Sequence, residues 1–254
     1  MRAYACVYRH SEPSRRDRRL TEEASRTAPL LKRYLQRYDS PDCFYDWGDD
    51  PSFFAAAEIL GSPDRATWGV CRRDVRASMS SGDFVVFFCG KEIDRGRWDY
   101  FYVGVGTIGQ LLNRNEIWED DDYQNYRRFF NVLARPVDGL LQQHETIRRF
   151  HPDWAARAAA PYVVFDPDDT HFNLRDPLRV ASYDRELGGI EVWDRENPHA
   201  VALAELILPS PPTRRGLRST NRQRAHPKMN LQFQAQRAGG FENLRGRLLD
   251  LVAA

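Results

Sequence analysis

The spacing of apolar residues along the chain predicts short strands separated by loops. Phe84–Cys89 (FVVFFC) is apolar throughout, which indicates a strand buried on both faces. Tyr100–Ile108 (YFYVGVGTI) is a second apolar run, and its glycines indicate a bulge or a close approach of another backbone. We predict further strands, from their aromatic and β-branched residues, at 3–8, 128–134, 162–165 and 178–183.

Helical spacing and polar loops fill the intervals between these strands. Pro198 begins a helix that reaches Leu208, with Asn197 as its N-cap. We predict other helices at 20–38 (interrupted at Pro29), 53–60, 140–160 and 241–252, with a short helix or turn at 70–79. Gly82-Asp83 predicts a turn, Gly90–Asp99 a charged hairpin loop and Glu116–Asp122 an acidic loop.

This order of elements favours an α+β fold built on a small β-barrel with flanking helices. A doubly wound sheet is disfavoured because the strands and helices do not alternate regularly. Pro209–Lys228 is rich in proline and arginine and has no acidic residue. We therefore predict a domain over residues 1–208 with helical additions, followed by a basic arm and a C-terminal helix over residues 209–254.

Composition and charge exclude some classes of function. The net charge is +1, so no overall field draws the protein to nucleic acid, although its basic residues are almost all arginine, which suits bidentate contacts with phosphate. The four cysteines form no CxxC pair and indicate no metal site or cofactor. No apolar stretch is long enough to span a bilayer and no signal peptide is evident, so we expect a cytoplasmic protein that does not contact membranes.

The segment 67–88 reads TWGVCRRDVRASMSSGDFVVFF and resembles the signature of EVE domains. YFYVGVGTI and YRRFFNVLARP resemble the barrel strands that follow in that family. These features are similar to the PUA-like superfamily, which includes the EVE, YTH and ASCH domains. The signature matches at Thr67, Trp68, Gly69, Val70, Arg72, Arg76, Met79, Gly82, Asp83, Phe87 and Phe88.

Over the whole chain, including APYVVFDPDDTHFNLRDPLRVASY, the order of segments resembles bacterial and phage nucleotide-modification-associated domains. The resemblance implies a PUA-like barrel that binds a nucleotide or a modified base in DNA or RNA, with DNA preferred, in a DNA-modification or modification-dependent defence context. EVE domains usually continue with Tyr-His-Ser, where this chain has Phe88-Cys89-Gly90. Polar side chains at that pocket edge are therefore missing, and backbone groups at Gly90 would have to replace them.

A base-binding pocket needs a flat apolar surface, groups that read the base edge and cationic cover for phosphate. Trp68 would supply the surface, with Trp98 or Tyr102 on the other side. Phe88 and Gly90 would complete the base-binding pocket at its edge. Backbone N–H groups of the Gly69-Val70-Cys71 segment would read the base edge. The phosphate contacts would come from Arg72, Arg73 and Arg76. Two alternatives stay open. Trp68 would instead fill the end of the barrel, and the three arginines would instead lie on a solvated face and form ion pairs with Asp74 and Asp83.

The predicted arm carries six further cationic residues with no acidic residue between them. It would contact the nucleic-acid backbone, or instead act as a solvated tether or pack on a partner in a homodimer. The cationic residues are Arg214, Arg215, Arg218, Arg222, Arg224 and Lys228.

A second class of function is a nucleotide- or base-modifying enzyme. The string FDPDDTHF places Asp166, Asp168 and Asp169 close to His171, and acidic residues near a histidine can bind a divalent metal. A turn rich in Asp and Pro explains the same string without a metal. Nucleophile motifs are missing, so the sequence favours a binding protein over an enzyme.

Overall fold

The computed structural model describes thirteen stretches of the chain: residues 1–10, 66–69, 72–95, 97–124, 126–128, 132, 134–138, 140–143, 154–173, 177–184, 189–192, 194–207 and 228–253. The helices predicted at 20–38 and 53–60 lie outside these stretches. Most of the predicted basic arm, up to residue 227, also lies outside them.

One mixed sheet of eight strands forms the frame, in the order β10-β1-β3-β4-β7-β2, with β8 paired to β4 and β9 to β8. The described pairings do not join β10 to β2, so they do not close the sheet into a barrel. A separate hairpin consists of β5 and β6. The strands are β1 Ala3–His10, β2 Thr67–Trp68, β3 Phe84–Asp94, β4 Arg97–Leu112, β5 Ala134–Val137, β6 Leu140–Gln143, β7 Tyr162–Phe172, β8 Leu178–Asp184, β9 Gly189–Val192 and β10 Lys228–Asn230.

Strand β3 is central, running parallel to β1 and antiparallel to β4. The prediction of a strand buried on both faces is confirmed. Because side chains alternate along a strand, Phe84, Val86 and Phe88 enter one apolar cluster. Val85, Phe87 and Cys89 enter a second cluster on the opposite face.

Six described α-helices flank this sheet. The prediction of a helix from Pro198 is confirmed, and the Asn197 side chain accepts a hydrogen bond from the His199 backbone N–H at 2.9 Å. The C-terminal helix is also confirmed. The helices are α1 Arg73–Arg76, α2 Arg114–Glu119, α3 Trp154–Ala158, α4 Pro198–Ile207, α5 Gln232–Ala238 and α6 Phe241–Ala253.

Helices α4, α5 and α6 cover the face that carries Phe88 and Tyr102. The buried hydroxyl of Tyr102 donates a hydrogen bond to the Leu248 carbonyl of α6 at 3.0 Å. Strand β10 pairs antiparallel with β1, so residues 228–253 complete the same sheet and core as the preceding chain. The division predicted at residue 209 stays a prediction, because residues 208–227 lie outside the described stretches.

Two segments predicted as loops are regular structure. Within Gly90–Asp99, β3 continues to Asp94 and β4 begins at Arg97, because cross-strand pairing outweighs the low strand propensity of these charged residues. Helix α2 overlaps the first four residues of the predicted acidic loop, Glu116–Asp122, and ends at Glu119. Its capping box joins Asn113 and Glu116: the Asn113 side chain accepts from the Glu116 N–H, and the Glu116 carboxylate accepts from the Asn113 N–H. Short 3-10 helices follow at Asp121–Tyr123 and Tyr126–Arg128.

The prediction of a strand at 128–134 that stops at Arg135-Pro136 is wrong. The strand in this region is β5, which includes both residues and pairs with β6. The prediction of one helix over 140–160 is also wrong, since Leu140–Gln143 form β6 and only α3 is helical among the described residues of that range. In both cases the apolar run is too short for its spacing to distinguish a helix from a strand. The pairing of β5 with β6 determines that these segments are strands.

Strand β4 approaches β7 so closely that glycine is required at two positions. Gly104 has a φ of +147°, and a Cβ built there would lie 2.1 Å from the His171 carbonyl oxygen. A Cβ on Gly106 would lie 2.7 Å from the ring of Phe165 and from that of Phe172. Just beyond, Gly106 pairs with Thr170 and Ile108 with Phe165, so four residues of β7 bulge out opposite one residue of β4.

We predict that Gly104→Ala lowers the free energy of unfolding by about 1–3 kcal/mol, because the new methyl group collides with backbone at a positive φ. Urea denaturation followed by circular dichroism measures this change. Gly246→Ala is the matched control, since nothing lies within 4 Å of a Cβ at that position in α6. An equal effect of the two substitutions would contradict the close approach.

Candidate functional site

Trp68 is held in the sheet by pairing of β2 with β7, opposite Val163. Its side chain is 0% exposed. The indole lies parallel to the Phe165 ring with a centroid distance of 6.5 Å, and the edge contact with the Phe87 ring has a centroid distance of 5.3 Å. The indole is therefore part of the apolar core next to the edge strand β2. A base can stack on it only if the indole separates from the Phe87 and Phe165 rings.

The other aromatic residues predicted to enclose the base lie on the opposite face of the sheet. Phe88 and Tyr102 contact each other with ring centroids 5.5 Å apart, and Trp98 packs against the same cluster. Gly90 pairs with Tyr100 within the sheet. The structure does not bring these residues together with Trp68, and Val70 and Cys71 lie outside the described residues. Base binding by this set stays a prediction.

Arg76, predicted to contact phosphate, is 0% exposed. Its guanidinium donates hydrogen bonds to three main-chain carbonyls at the end of α3: Arg157 at 3.0 Å, Ala160 at 3.1 Å, and Pro161. These contacts fix the end of α1 against the start of β7. Arg76 therefore lies beneath the surface, and its guanidinium is occupied by main-chain carbonyls.

A second buried arginine, Arg114 at the start of α2, lies beside Arg76 and is 2% exposed. Its guanidinium donates to the carbonyls of Gly69 at 2.7 Å, Ala160 at 2.5 Å and Val132 at 3.1 Å. It also lies over the Tyr162 ring, 5.4 Å from the centroid. Sequence reasoning missed Arg114, since it stands in an acidic stretch and no motif marks it.

Burial is the main reason that the pKa of Arg114 is lowered to about 9, and the positive charge of Arg76 lowers it further. Tyr162 acts in the opposite direction. The guanidinium remains protonated at neutral pH, because a pKa of about 9 lies above 7. Two positive charges are thus concentrated around the Ala160 carbonyl, and one of them, Arg114, also contacts the Gly69 carbonyl.

The remaining predicted phosphate contacts are dispersed. Arg72 has a left-handed backbone with φ 50°, and its guanidinium donates to the Val7 carbonyl at 3.0 Å. Arg73 is exposed, at the first position of α1. Lys228 lies in β10, paired with Cys6. The predicted contacts in the arm, at Arg214, Arg215, Arg218, Arg222 and Arg224, fall outside the described residues.

The acidic residues of the alternative enzyme site lie in the bulge of β7 rather than in a turn. The Asp166 carboxylate accepts from the Asp168 N–H at 3.0 Å, and Asp169 forms an ion pair with Arg245 of α6 at 3.0 Å. His171 follows the bulge and is exposed. Within the described stretches, no three His, Cys, Asp or Glu side chains are placed to hold a metal ion.

No family model, curated protein or solved structure matches this chain. Among the helices that the structure describes, none has the length and apolar character needed to cross a membrane.

We predict that Trp68→Ala lowers the free energy of unfolding by about 3–5 kcal/mol, because it leaves a large cavity between Phe87 and Phe165. Chemical denaturation measures this loss, and Trp98→Ala, at a partly buried position, is expected to cost less. A stable Trp68→Ala variant would show that the indole is not packed in the core.

We predict that Arg114→Ala lowers the free energy of unfolding by roughly 3 kcal/mol, because the buried carbonyls of Gly69 and Val132 lose a donor. Arg95→Ala, at the exposed β3–β4 turn, is the control and is expected to change stability by less than about 0.5 kcal/mol. Urea denaturation of both variants measures the difference. Equal stabilities would contradict the burial of Arg114.

Proposed function

We propose that this protein binds a nucleotide or a modified nucleobase in nucleic acid at an arginine cluster, which consists of the buried Arg76 and Arg114 and of the exposed Arg73, three residues before Arg76 in α1. The observation that carries the proposal is the convergence of the two buried guanidinium groups on the Ala160 carbonyl. Electrostatic attraction is stronger where water is excluded, so this buried charge favours an anion at the surface above it.

A phosphate group is the anion that fits this arrangement. The exposed guanidinium of Arg73 is free to make a direct, bidentate contact with phosphate oxygens. Arg76 and Arg114 are occupied by carbonyls and act through their charge. Phosphate contacts position a nucleic acid without reading its sequence, so this part of the site supplies affinity.

In this proposal, the segment that follows Trp68 recognises the base. Packing of the indole against aromatic rings fixes the position of the next residue, Gly69, whose carbonyl accepts a hydrogen bond from Arg114. An adduct such as a methyl group contributes about 0.8 kcal/mol when buried against apolar surface.

The resemblance of residues 67–136 to EVE domains supports three further parts of the proposal. These parts are that the fold is of the PUA-like type, that DNA is bound in preference to RNA, and that the protein acts in DNA modification or modification-dependent defence. The strongly bulged strands β4 and β7 are of the kind that curve a sheet toward closure. A 2′-hydroxyl distinguishes RNA from DNA, so paired deoxyribose and ribose oligonucleotides test the preference.

We predict that Arg73→Gln weakens binding to all oligonucleotides alike and lowers the slope of log affinity against log salt by about 1, as expected when one phosphate contact is lost. Fluorescence anisotropy with labelled oligonucleotides carrying different modified bases measures both effects. The side chain is exposed, so the substitution is not expected to unfold the protein.

Arg95→Gln is the matched control for charge, since Arg95 is exposed at the β3–β4 turn, away from the arginine cluster. It is expected to leave affinity and salt slope unchanged. The proposal is wrong if no modified oligonucleotide binds better than plain DNA at matched salt, or if Arg95→Gln reduces binding as much as Arg73→Gln does.

A further inference from the structure

Arg114 connects three separate parts of the chain through one guanidinium group. Its Nε donates to the Val132 carbonyl at 3.1 Å, and its two terminal nitrogens donate to the carbonyls of Ala160 at 2.5 Å and Gly69 at 2.7 Å. The residue is 2% exposed. A planar guanidinium presents its donors in fixed directions, so these hydrogen bonds hold the three segments in one arrangement.

The position of Arg114 is itself fixed by two elements of the fold. Asn113 is the N-cap of α2, and its capping box with Glu116 closes the first turn, in which Arg114 is the first helical residue. The guanidinium also lies over the Tyr162 ring of β7, 5.4 Å from the centroid. Both α2 and β7 therefore orient the donors of Arg114.

The Gly69 carbonyl is the contact of Arg114 that bears on recognition of a base. Pairing of β2 with β7 ends at Trp68, and the carbonyl of the next residue accepts from Arg114. A peptide group is planar, so a fixed carbonyl direction also fixes the direction in which the chain leaves β2. Arg114 therefore sets the start of the segment that follows Trp68.

Arg72 fixes the other end of the same short segment. It is the N-cap residue of α1 and has a left-handed backbone with φ 50°, which is uncommon for a residue other than glycine. Its guanidinium donates to the Val7 carbonyl of β1 at 3.0 Å. Gly69 and Arg72 are thus anchored to different parts of the fold, the first to α2 and the second to β1.

We propose that Arg114 and Arg72 are positioning residues for base recognition, which hold the two ends of the segment that follows Trp68 and so determine the preference for a modified base. This role rests on the function proposed above. Phosphate contact by Arg73 supplies affinity for any sequence. Selectivity requires that the groups reading a base edge are held in fixed directions, and the two anchors provide this.

Fluorescence anisotropy with single-stranded DNA of one sequence tests the role of Arg114. One position carries cytosine, 5-methylcytosine, 5-hydroxymethylcytosine, adenine or N6-methyladenine, and the ratio of Kd values for plain and modified strands measures the preference. Arg114→Lys loses the three fixed donor directions and is expected to lower the wild-type ratio by about threefold or more. The slope of log affinity against log salt is expected to stay unchanged, because Arg73 is intact. A partly unfolded sample would bind every strand more weakly and leave the ratio unchanged.

Arg72→Asn is the second variant, because asparagine tolerates a positive φ and the position is only partly buried. It removes the contact with Val7 and is expected to lower the ratio in the same way. Arg127→Lys is the matched control, since this guanidinium also donates to main-chain carbonyls, those of Ile117 at 2.7 Å and Asp120 at 2.8 Å. It contacts neither end of the segment in the described structure, so the ratio is expected to be that of the wild type.

The positioning role is refuted if folded Arg114→Lys or Arg72→Asn keeps the wild-type ratio, or if Arg127→Lys lowers the ratio as much as they do. A salt slope that falls by about 1 in Arg72→Asn, with the ratio intact, makes Arg72 a phosphate contact and refutes its positioning role. If Arg114→Lys does not fold, Arg72→Asn decides the outcome. Failure of the proposed function is a different result: the wild-type protein then has no preference for any modified strand, and both proposals are wrong.

Discussion

Burial of β3 on both faces is the constraint on which the rest of the fold depends. Phe84, Val86 and Phe88 leave the sheet on one side and Val85 and Phe87 on the other, so each face must be covered. Burying one such side chain contributes about 1.5–3 kcal/mol. Helices α4, α5 and α6 cover the first face, while β2 and α1 contribute Trp68 and Val75 to the second.

This two-sided core separates the arginine cluster from a cavity of about 360 Å³ among α4, α5 and α6. The arginine cluster forms where β2, α1 and α2 meet the start of β7, and the cavity forms within the helical layer on the other face. The arginine side chains at the cluster and at the cavity differ in burial and in hydrogen bonding. The guanidiniums of Arg76 and Arg114 are buried and satisfied by carbonyls, whereas Arg247 is exposed and without a described partner. The buried guanidiniums are fixed positive charges inside the protein, where their electrostatic effect is strong. The exposed guanidinium of Arg247 remains in contact with solvent.

Trp68 shows that the role of a side chain depends on its packing. The segment that carries the resemblance forms β2 and α1, and the Gly69 carbonyl accepts from the buried guanidinium of Arg114. The signature did not indicate that the indole packs against Phe165, or that Tyr102 lies on the other face of the sheet. Both depend on which side of each strand a residue occupies after pairing, and a bulge changes that side.

The sequence by itself determined the elements whose pattern is long or distinctive: the apolar run of β3, the glycine-bearing β4, the capped helix α4, the C-terminal helix and the α+β class. Local pattern suffices there because burial and capping act on neighbouring residues. Only the tertiary structure decided that the segment 134–143 is a hairpin, that Arg114 donates to the Gly69 carbonyl, and that Trp68 packs against Phe165. Each of these is a contact between residues distant along the chain, and its free energy depends on neighbours that no local window of sequence contains.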